Sequence, residues 1–229
     1  MNPVNFNKEG SQALLHFEDW GLVNYDTAVN RQLQYVEEIL LGTRPETIIF
    51  CSHPPLVSLG RGTKKEDLVS WKGQVVQSSR GGRATYHGPS QIIIYPLINL
   101  NKKRPHLKEK DIHAYLRLLE KILVSSLESL GYVGFCGKLA LKKNTEGLEK
   151  TGLWKGELKV ASIGIAIKKW VSYHGIAINY TKDKQAFTGI KACGYLSDTI
   201  TSLEEIESKL VTKENLIKAL SDNFNTFLQ

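Results

Sequence analysis

Cysteine is scarce in this chain. Cys51, Cys136 and Cys193 are the only three in 229 residues, and no two stand in CxxC spacing. So small and scattered a set makes neither a disulfide framework nor a zinc site, and the three read as free thiols. Long hydrophobic runs are missing too: none approaches the roughly 20 residues that span a bilayer. The opening residues MNPVNFNKEG have neither a basic-then-apolar signal pattern nor an Arg-rich transit pattern. A soluble, cytoplasmic protein without membrane attachment is expected. No repeat, low-complexity tract or clear linker divides the sequence, so residues 1–229 are expected to form a single domain.

What is present is a 41% share of hydrophobic residues, enough for a sizeable core, and a net charge of +7 from 30 Lys and Arg against 23 Asp and Glu. That balance favours acidic partners, whether nucleic acid, an anionic surface or an acidic protein, and cannot choose among them. An RNA-binding surface would need aromatics interleaved with Lys and Arg, or a recognisable module, and the sequence has neither.

The hydrophobic pattern alternates between strand and helix periods. Leu14 to Phe17 reads as a strand, and Val29, Leu33, Val36 and Leu40 recur at helical spacing before Gly42. Further strands are expected at Thr47 to Cys51, Val75 to Ser78 and Gln91 to Leu97. Asp111 precedes a second helix with the stripe Ile112, Tyr115, Leu119, Ile122, Leu123, Leu127 and Leu130, stopped at Gly131. Lys142 to Lys150 is a polar connection. From Trp154 to Asn179 the pattern predicts hairpins, with turns at Lys155-Gly156 and Lys168-Lys169. Thr201 with Glu204 forms a capping-box signature, and Thr212 opens a last helix carrying Leu216, Leu220, Phe224 and Phe227 on one face. The fold class is α+β, a mixed or antiparallel sheet flanked by helices.

Three stretches carry candidate chemistry. In RGGRATYH, Arg80 to His87, the paired glycines let backbone approach a ligand, and the arginines suit a phosphate or carboxylate; a Gly-Gly hairpin turn with solvated arginines is the alternative. Tyr86-His87-Gly88-Pro89 favours a pocket wall. In LKVASIGIAI, Leu158 to Ile167, Ser162, Gly164 and Ala166 share one strand face. Those small residues either floor a slim apolar channel or lie tightly under a helix. Lys159 within this strand either snorkels to water or accepts desolvation, which would suit it to proton transfer. Cys193, beside glycine in the basic loop Gly189 to Tyr195, is a candidate nucleophile, since a thiol's ordinary pKa near 8.5 falls beside a cation. Cys51 and Cys136 lie in apolar runs and read as buried and inert. His174, in Tyr173-His174-Gly175, is a core or positioning imidazole.

Taken in order, SHPPLVSLG (Ser52 to Gly60), RGGRATYHGPSQ, GLWKGELKVASIG, YHGIAIN and the ACG of Ala192 to Gly194 with TSL at Thr201 to Leu203 resemble the lipoyl(octanoyl) transferases. The resemblance spans about residues 14 to 210. It implies the fold of biotin and lipoate ligases and a catalytic pair of Cys193 and Lys159. It also implies substrate contacts at Arg80, Gly81, Gly82, Arg83, Ala84, Thr85, Tyr86 and His87, at Ser162, Ile163 and Gly164, and at His174, Gly175 and Ile176. Two departures stand out: Ala192 where the family usually has proline, and Ser90 where it has glycine.

The implied reaction moves an octanoyl group from octanoyl-acyl carrier protein, through a cysteine thioester, to one lysine of a lipoyl domain. Acceptors would be the lipoyl domains of 2-oxoacid dehydrogenase E2 subunits and the glycine cleavage H protein, with no nucleic acid or membrane involved. Neither cofactor nor metal is implied. A thiolate suits the first half because one thioester replaces another. Lys159 would then serve as acid toward the leaving thiol and as base toward the incoming amine. The rival chemistries are an ATP-dependent lipoate- or biotin-type ligase and an amidotransferase acting between lipoyl domains.

Overall fold

The computed structural model describes residues 15–137, 151–191, 199–208 and 210–229. Ala192, Cys193, Gly194 and the tract Lys142 to Lys150 therefore lie outside the described residues.

Seven strands form the main sheet: β1 (His16–Leu22), β2 (Thr47–Ser52), β6 (Gln91–Leu97), β7 (Phe135–Cys136), β8 (Gly152–Lys155), β9 (Leu158–Lys168) and β10 (Val171–Asn179). Their order across the sheet is β1-β2-β6-β10-β9-β8-β7. Only β1 and β2 run parallel, because α1 (Tyr25–Leu41) carries the chain back between them; the rest pair antiparallel. A second, smaller sheet has the order β4-β3-β5, from β3 (Leu56–Leu59), β4 (Gln74–Gln77) and β5 (Ala84–His87).

Alternation along the central strands splits the core into two layers. Ile48, Phe50, Ile92 and Ile94 face one way and pack with α2 (Ile112–Ser129) and α4 (Lys213–Leu228). Ile49, Cys51, Ile93 and Tyr95 face the other way and pack with α1. Each fully buried branched side chain contributes about 1.5–3 kcal/mol, so this two-faced burial fixes the register. The helix ends follow local chemistry. Asp111 accepts the Ala114 N–H at 2.8 Å at the start of α2, and Thr212 accepts the Asn215 N–H at 3.3 Å at the start of α4. The short α3 (Leu203–Ile206) is capped by Ser202 and Glu205, one residue beyond the Thr201 and Glu204 expected from sequence.

Other expectations shift in small but physical ways. The first strand starts at His16 and the strand expected at Val75 to Ser78 spans Gln74–Gln77. The two hairpin turns move one residue on, to Gly156 at φ 58° and to Lys169 and Trp170 at φ 49° and 69°. The buried face of α1 is Tyr25, Ala28, Gln32, Tyr35, Val36 and Ile39. Of the expected stripe, Val36 is buried and Leu33 and Leu40 pack partly buried against the same core, while the face also takes in the polar Gln32 and two tyrosines. On α4, Leu228 is buried and Phe227 only partly.

Candidate active site

The β9–β10 hairpin lays small residues side by side, Ser162 opposite Ala177 and Gly164 opposite Gly175. With Ile93 and Tyr95 of β6 they floor a narrow pocket that is partly open to solvent. Its roof is the Arg80–Gly82 turn with Thr85 and His87 of β5, and Tyr25 at the start of α1 closes one end. The roof is fastened to the floor by backbone: the Gly81 N–H donates to the Ile165 carbonyl at 2.9 Å. A Cβ at Gly164 would stand 3.0 Å from the Gly81 carbonyl oxygen and 3.3 Å from Arg80 Cδ. Strand β9 thus runs close under the RGGR backbone, and it is the missing side chain at Gly164 that permits it, since a Cβ at Gly81 would meet only the Ile165 carbonyl oxygen at an ordinary 3.6 Å.

The polar wall is held by charge-assisted bonds. Arg80 donates from Nε and Nη2 to Ser58 Oγ at 3.0 and 2.8 Å, from Nη2 to the Ser58 carbonyl at 2.6 Å, and from Nη1 to the Gly81 carbonyl at 3.0 Å. With its lone pairs so engaged, the Ser58 hydroxyl donates to His87 Nε2 at 2.9 Å, which places the His87 proton on Nδ1. His53 donates from Nδ1 to the Val23 carbonyl at 2.7 Å and accepts at Nε2 from Tyr95 at 2.6 Å. His174 has Nε2 3.1 Å from Ser79 Oγ and a backbone φ of 55°, its N–H held by the Gln32 carboxamide oxygen at 2.8 Å.

Burial keeps these imidazoles neutral. It pulls His174 down to about 3, with Arg80 adding to the effect, and it takes His87 well below the ordinary value, aided by His53 and Arg80. His53 is lowered by burial as well. None of the three is tuned for proton transfer near neutral pH, so they shape and hydrogen-bond the pocket.

Most of the residues expected at the site converge here: Arg80, Gly81, Gly82, Thr85, His87, Ser162, Ile163, Gly164, His174, Gly175 and Ile176 line the pocket. Arg83, Ala84 and Tyr86 are not among its lining residues. Arg83 is turned to the buried Asp67, with Nε 2.9 Å from Oδ2. Ala84 is packed in the core of the small sheet, and Tyr86 lies against Trp71 and Phe187 with its hydroxyl donated to Asp183 at 2.9 Å. The unusual Ser90 donates to that same Asp183 oxygen at 3.1 Å. Ala166, grouped from sequence with the small-residue floor, packs instead beside Tyr35 and Val36. Tyr25, Ile93, Tyr95 and Ala177 line the pocket without having been singled out. His53 and Ser58 join Arg80, His87 and His174 in the polar wall, and of these five only His53 and Ser58 are not expected individually from the sequence, although both lie in the family stretch Ser52 to Gly60.

Lys159 is 3% exposed and does not snorkel to water. Its direction is set by a β-bulge. Opposite β8 the register runs Gly152 to Ser162, Leu153 to Ala161, then Trp154 to Lys159, so Val160 is an extra residue. Val160 and Ala161 both pack toward α2 and α4, as does Leu153. Trp154 and its partner Lys159 consequently lie on the sheet face that Ser162 shares, although neither is among the residues that line the pocket. Lys159 Nζ sits 5.3 Å from the Trp154 ring centre. Ile200, seven positions after Cys193, bridges to Lys159, and the Thr201 N–H donates to the Lys159 carbonyl at 3.0 Å. Of the other thiols, Cys51 is buried and its pKa is pushed well up by burial; Cys136 is half-buried and raised by burial and by Glu120.

Against known proteins, the family model described as the lipoyl protein ligase A/B catalytic domain matches residues 24–225. An octanoyltransferase of Bdellovibrio bacteriovorus is 44% identical over 194 residues, covering 84% of this chain and 89% of that one. Among solved structures, a lipoate-protein ligase A bound with ATP superposes with a TM-score of 0.69 at 18% identity, covering 95% of this chain and 86% of that one. A biotin acetyl-coenzyme A carboxylase synthetase from Helicobacter pylori does so with 0.52 at 13% identity, covering 93% and 75%. Those two likenesses establish the lipoate and biotin ligase fold. The 44% identity and the family match together say more: the chain belongs to the lipoyl protein ligase A/B catalytic-domain family and is an acyltransferase.

Proposed function

We propose that the protein transfers an octanoyl group from octanoyl-acyl carrier protein to a lysine of a lipoyl domain, through a thioester on Cys193. The observation that carries this reading is the small-residue floor of the pocket, Ser162, Gly164, Gly175 and Ala177, with the buried Lys159 on its sheet face. Such a slot suits an unbranched chain, whose burial is worth on the order of 5 kcal/mol at about 0.8 kcal/mol per methylene. The name borne by the 44% identical relative supports octanoyl as the group.

In the first half, the Cys193 thiolate attacks the donor thioester carbonyl. The bond to the phosphopantetheine sulfur breaks, and Lys159 gives that sulfur its proton. In the second half, the acceptor lysine amine attacks the Cys193 thioester, Lys159 takes the proton, and the thiolate is released with an amide formed. The steps balance without a nucleotide or a metal. The acceptors on this reading are the lipoyl domains of 2-oxoacid dehydrogenase E2 subunits and the glycine cleavage H protein.

Intact-mass spectrometry after mixing with octanoyl-acyl carrier protein, without ATP or acceptor, tests it. A hydroxylamine-labile octanoyl adduct is expected on the wild type and on Cys51→Ala, and none on Cys193→Ala. No adduct on folded wild-type protein, together with octanoate activation when ATP is supplied, would replace the transferase reading with the ligase one.

A further inference from the structure

The loop after β3 touches both sides of the site. The N–H groups of Arg61 and Gly62 donate to the carbonyls of Arg80 and Gly82 at 3.0 Å each, so the loop forms the outer rim of the pocket roof. Further on, Val69, Ser70 and Trp71 donate their N–H groups to the Gly189 carbonyl at 2.9, 3.0 and 3.2 Å, and Leu68 bridges to Ile190. The Lys191 N–H donates to the Asp67 carbonyl at 2.8 Å, two positions before Cys193. One loop thus braces both the roof of the pocket and the chain that leads to the thiol.

The outer surface of this loop is basic and partly apolar. Arg61, Lys64, Lys65 and Lys72 are exposed. Leu68 and Val69 beside them are 36% and 63% exposed. Of the two acids in the loop, Asp67 is fully buried against Arg83, which leaves Glu66 alone to offset four cations. Cations around a small apolar patch suit an acidic partner that also offers an apolar contact.

We propose that this loop is the docking surface for the acyl donor, an acidic carrier whose acyl group hangs on an anionic phosphodiester arm. The proposal rests on the transferase reading above and adds where the carrier sits. The phosphodiester meets Arg61 and its neighbours at the rim while the thioester passes the roof toward Cys193. The carrier's acidic surface lies over Lys64, Lys65 and Lys72, with its apolar residues on Leu68 and Val69.

Steady-state transfer by the triple variant Arg61→Glu, Lys65→Glu, Lys72→Glu tests this. Its partner control is Lys103→Glu, Lys108→Glu, Lys110→Glu, with the same charge change on exposed residues away from the loop. The loop variant should raise KM for octanoyl-acyl carrier protein at least tenfold with kcat within twofold, and flatten its dependence on salt. Its KM for an uncharged small thioester, octanoyl-N-acetylcysteamine, should not change, and the control triple should behave as wild type. Equal KM increases in both triples would overturn the assignment, leaving only net charge. A rise in KM for the lipoyl domain in place of the carrier would overturn it in favour of an acceptor surface. If the wild type takes octanoyl from the small thioester and not from the carrier, the functional reading fails along with the docking.

Discussion

Lys159 runs through the space that a side chain at Gly152 would fill, its Cε 3.0 Å from where a Cβ there would stand. Gly152 also has φ of 138° and faces the Ala161 carbonyl, so no other residue fits without a shift. Gly152→Ala should destabilise the protein by about 1–3 kcal/mol and lower kcat by displacing the amine. Lys159→Met keeps the length of the side chain and removes the proton carrier. That variant should fold and lose about 10²–10⁴ in kcat. Thermal melts and single-turnover rates of the two variants check this; a Lys159→Met enzyme with wild-type kcat would remove the lysine from the chemistry.

The polar wall depends on one hydroxyl. Ser58→Ala takes away two hydrogen bonds from Arg80 and the one to His87, all buried. Because each abandoned buried polar group costs about 1–3 kcal/mol, a loss of about 2–4 kcal/mol is expected, with a raised KM for the acyl donor as the roof loosens. Urea unfolding and donor titration measure the two effects. Unchanged stability would mean that the Arg80 guanidinium does not depend on Ser58.

Stability should depend on pH through the buried imidazoles. His174 is held at about 3, and His53 and His87 below their ordinary value, all chiefly by burial. A depressed imidazole gains its proton in the unfolded chain first, near pH 6.5. Stability is then full above about pH 6.5 and falls as the pH drops toward the folded values, by about 1.4 kcal/mol per pH unit for a histidine as strongly depressed as His174. Against its burial, Asp183 is held below its ordinary value by the Gln185 N–H and the Tyr86 and Ser90 hydroxyls. As a lowered carboxylate it withdraws stability only at more acid pH, below about 4. The melting temperature should therefore drop from pH 6.5 to 5, and less steeply in His174→Gln. A flat profile across that window would contradict the neutral-imidazole picture.

How far the sequence could be read depended on the kind of signal. The α2 helix was legible because Asp111, a long apolar stripe and Gly131 agree with one another. The face of α1 was legible in Leu33, Val36 and Leu40 but not in Tyr25, Gln32 and Tyr35, whose hydrogen-bond partners Ser78, His174 and Glu18 are brought to them by the fold. The strands β3 and β5 were not read as strands, since four residues among prolines and glycines make too short a pattern for period-2 counting. The pocket floor was legible in Ser162 and Gly164 of β9 and, through the family resemblance, in Gly175, whereas Ala177 came only through the hairpin register. Arg83 and Tyr86 could not be separated from Arg80 and His87 by sequence, because their partners Asp67 and Asp183 are brought to them only by the fold.

The extra residue in β9 has a genetic meaning. Losing the single codon for Val160 would restore regular pairing with β8, and with it the strict two-residue alternation. Lys159 would still stand opposite Trp154 and on the same face, because Ala161 alone would then separate it from Ser162. A strand in plain alternation has no such slack, since losing one residue there turns every side chain beyond it to the other face. The bulge is thus a place where the length of this strand can change by one codon without turning the amine.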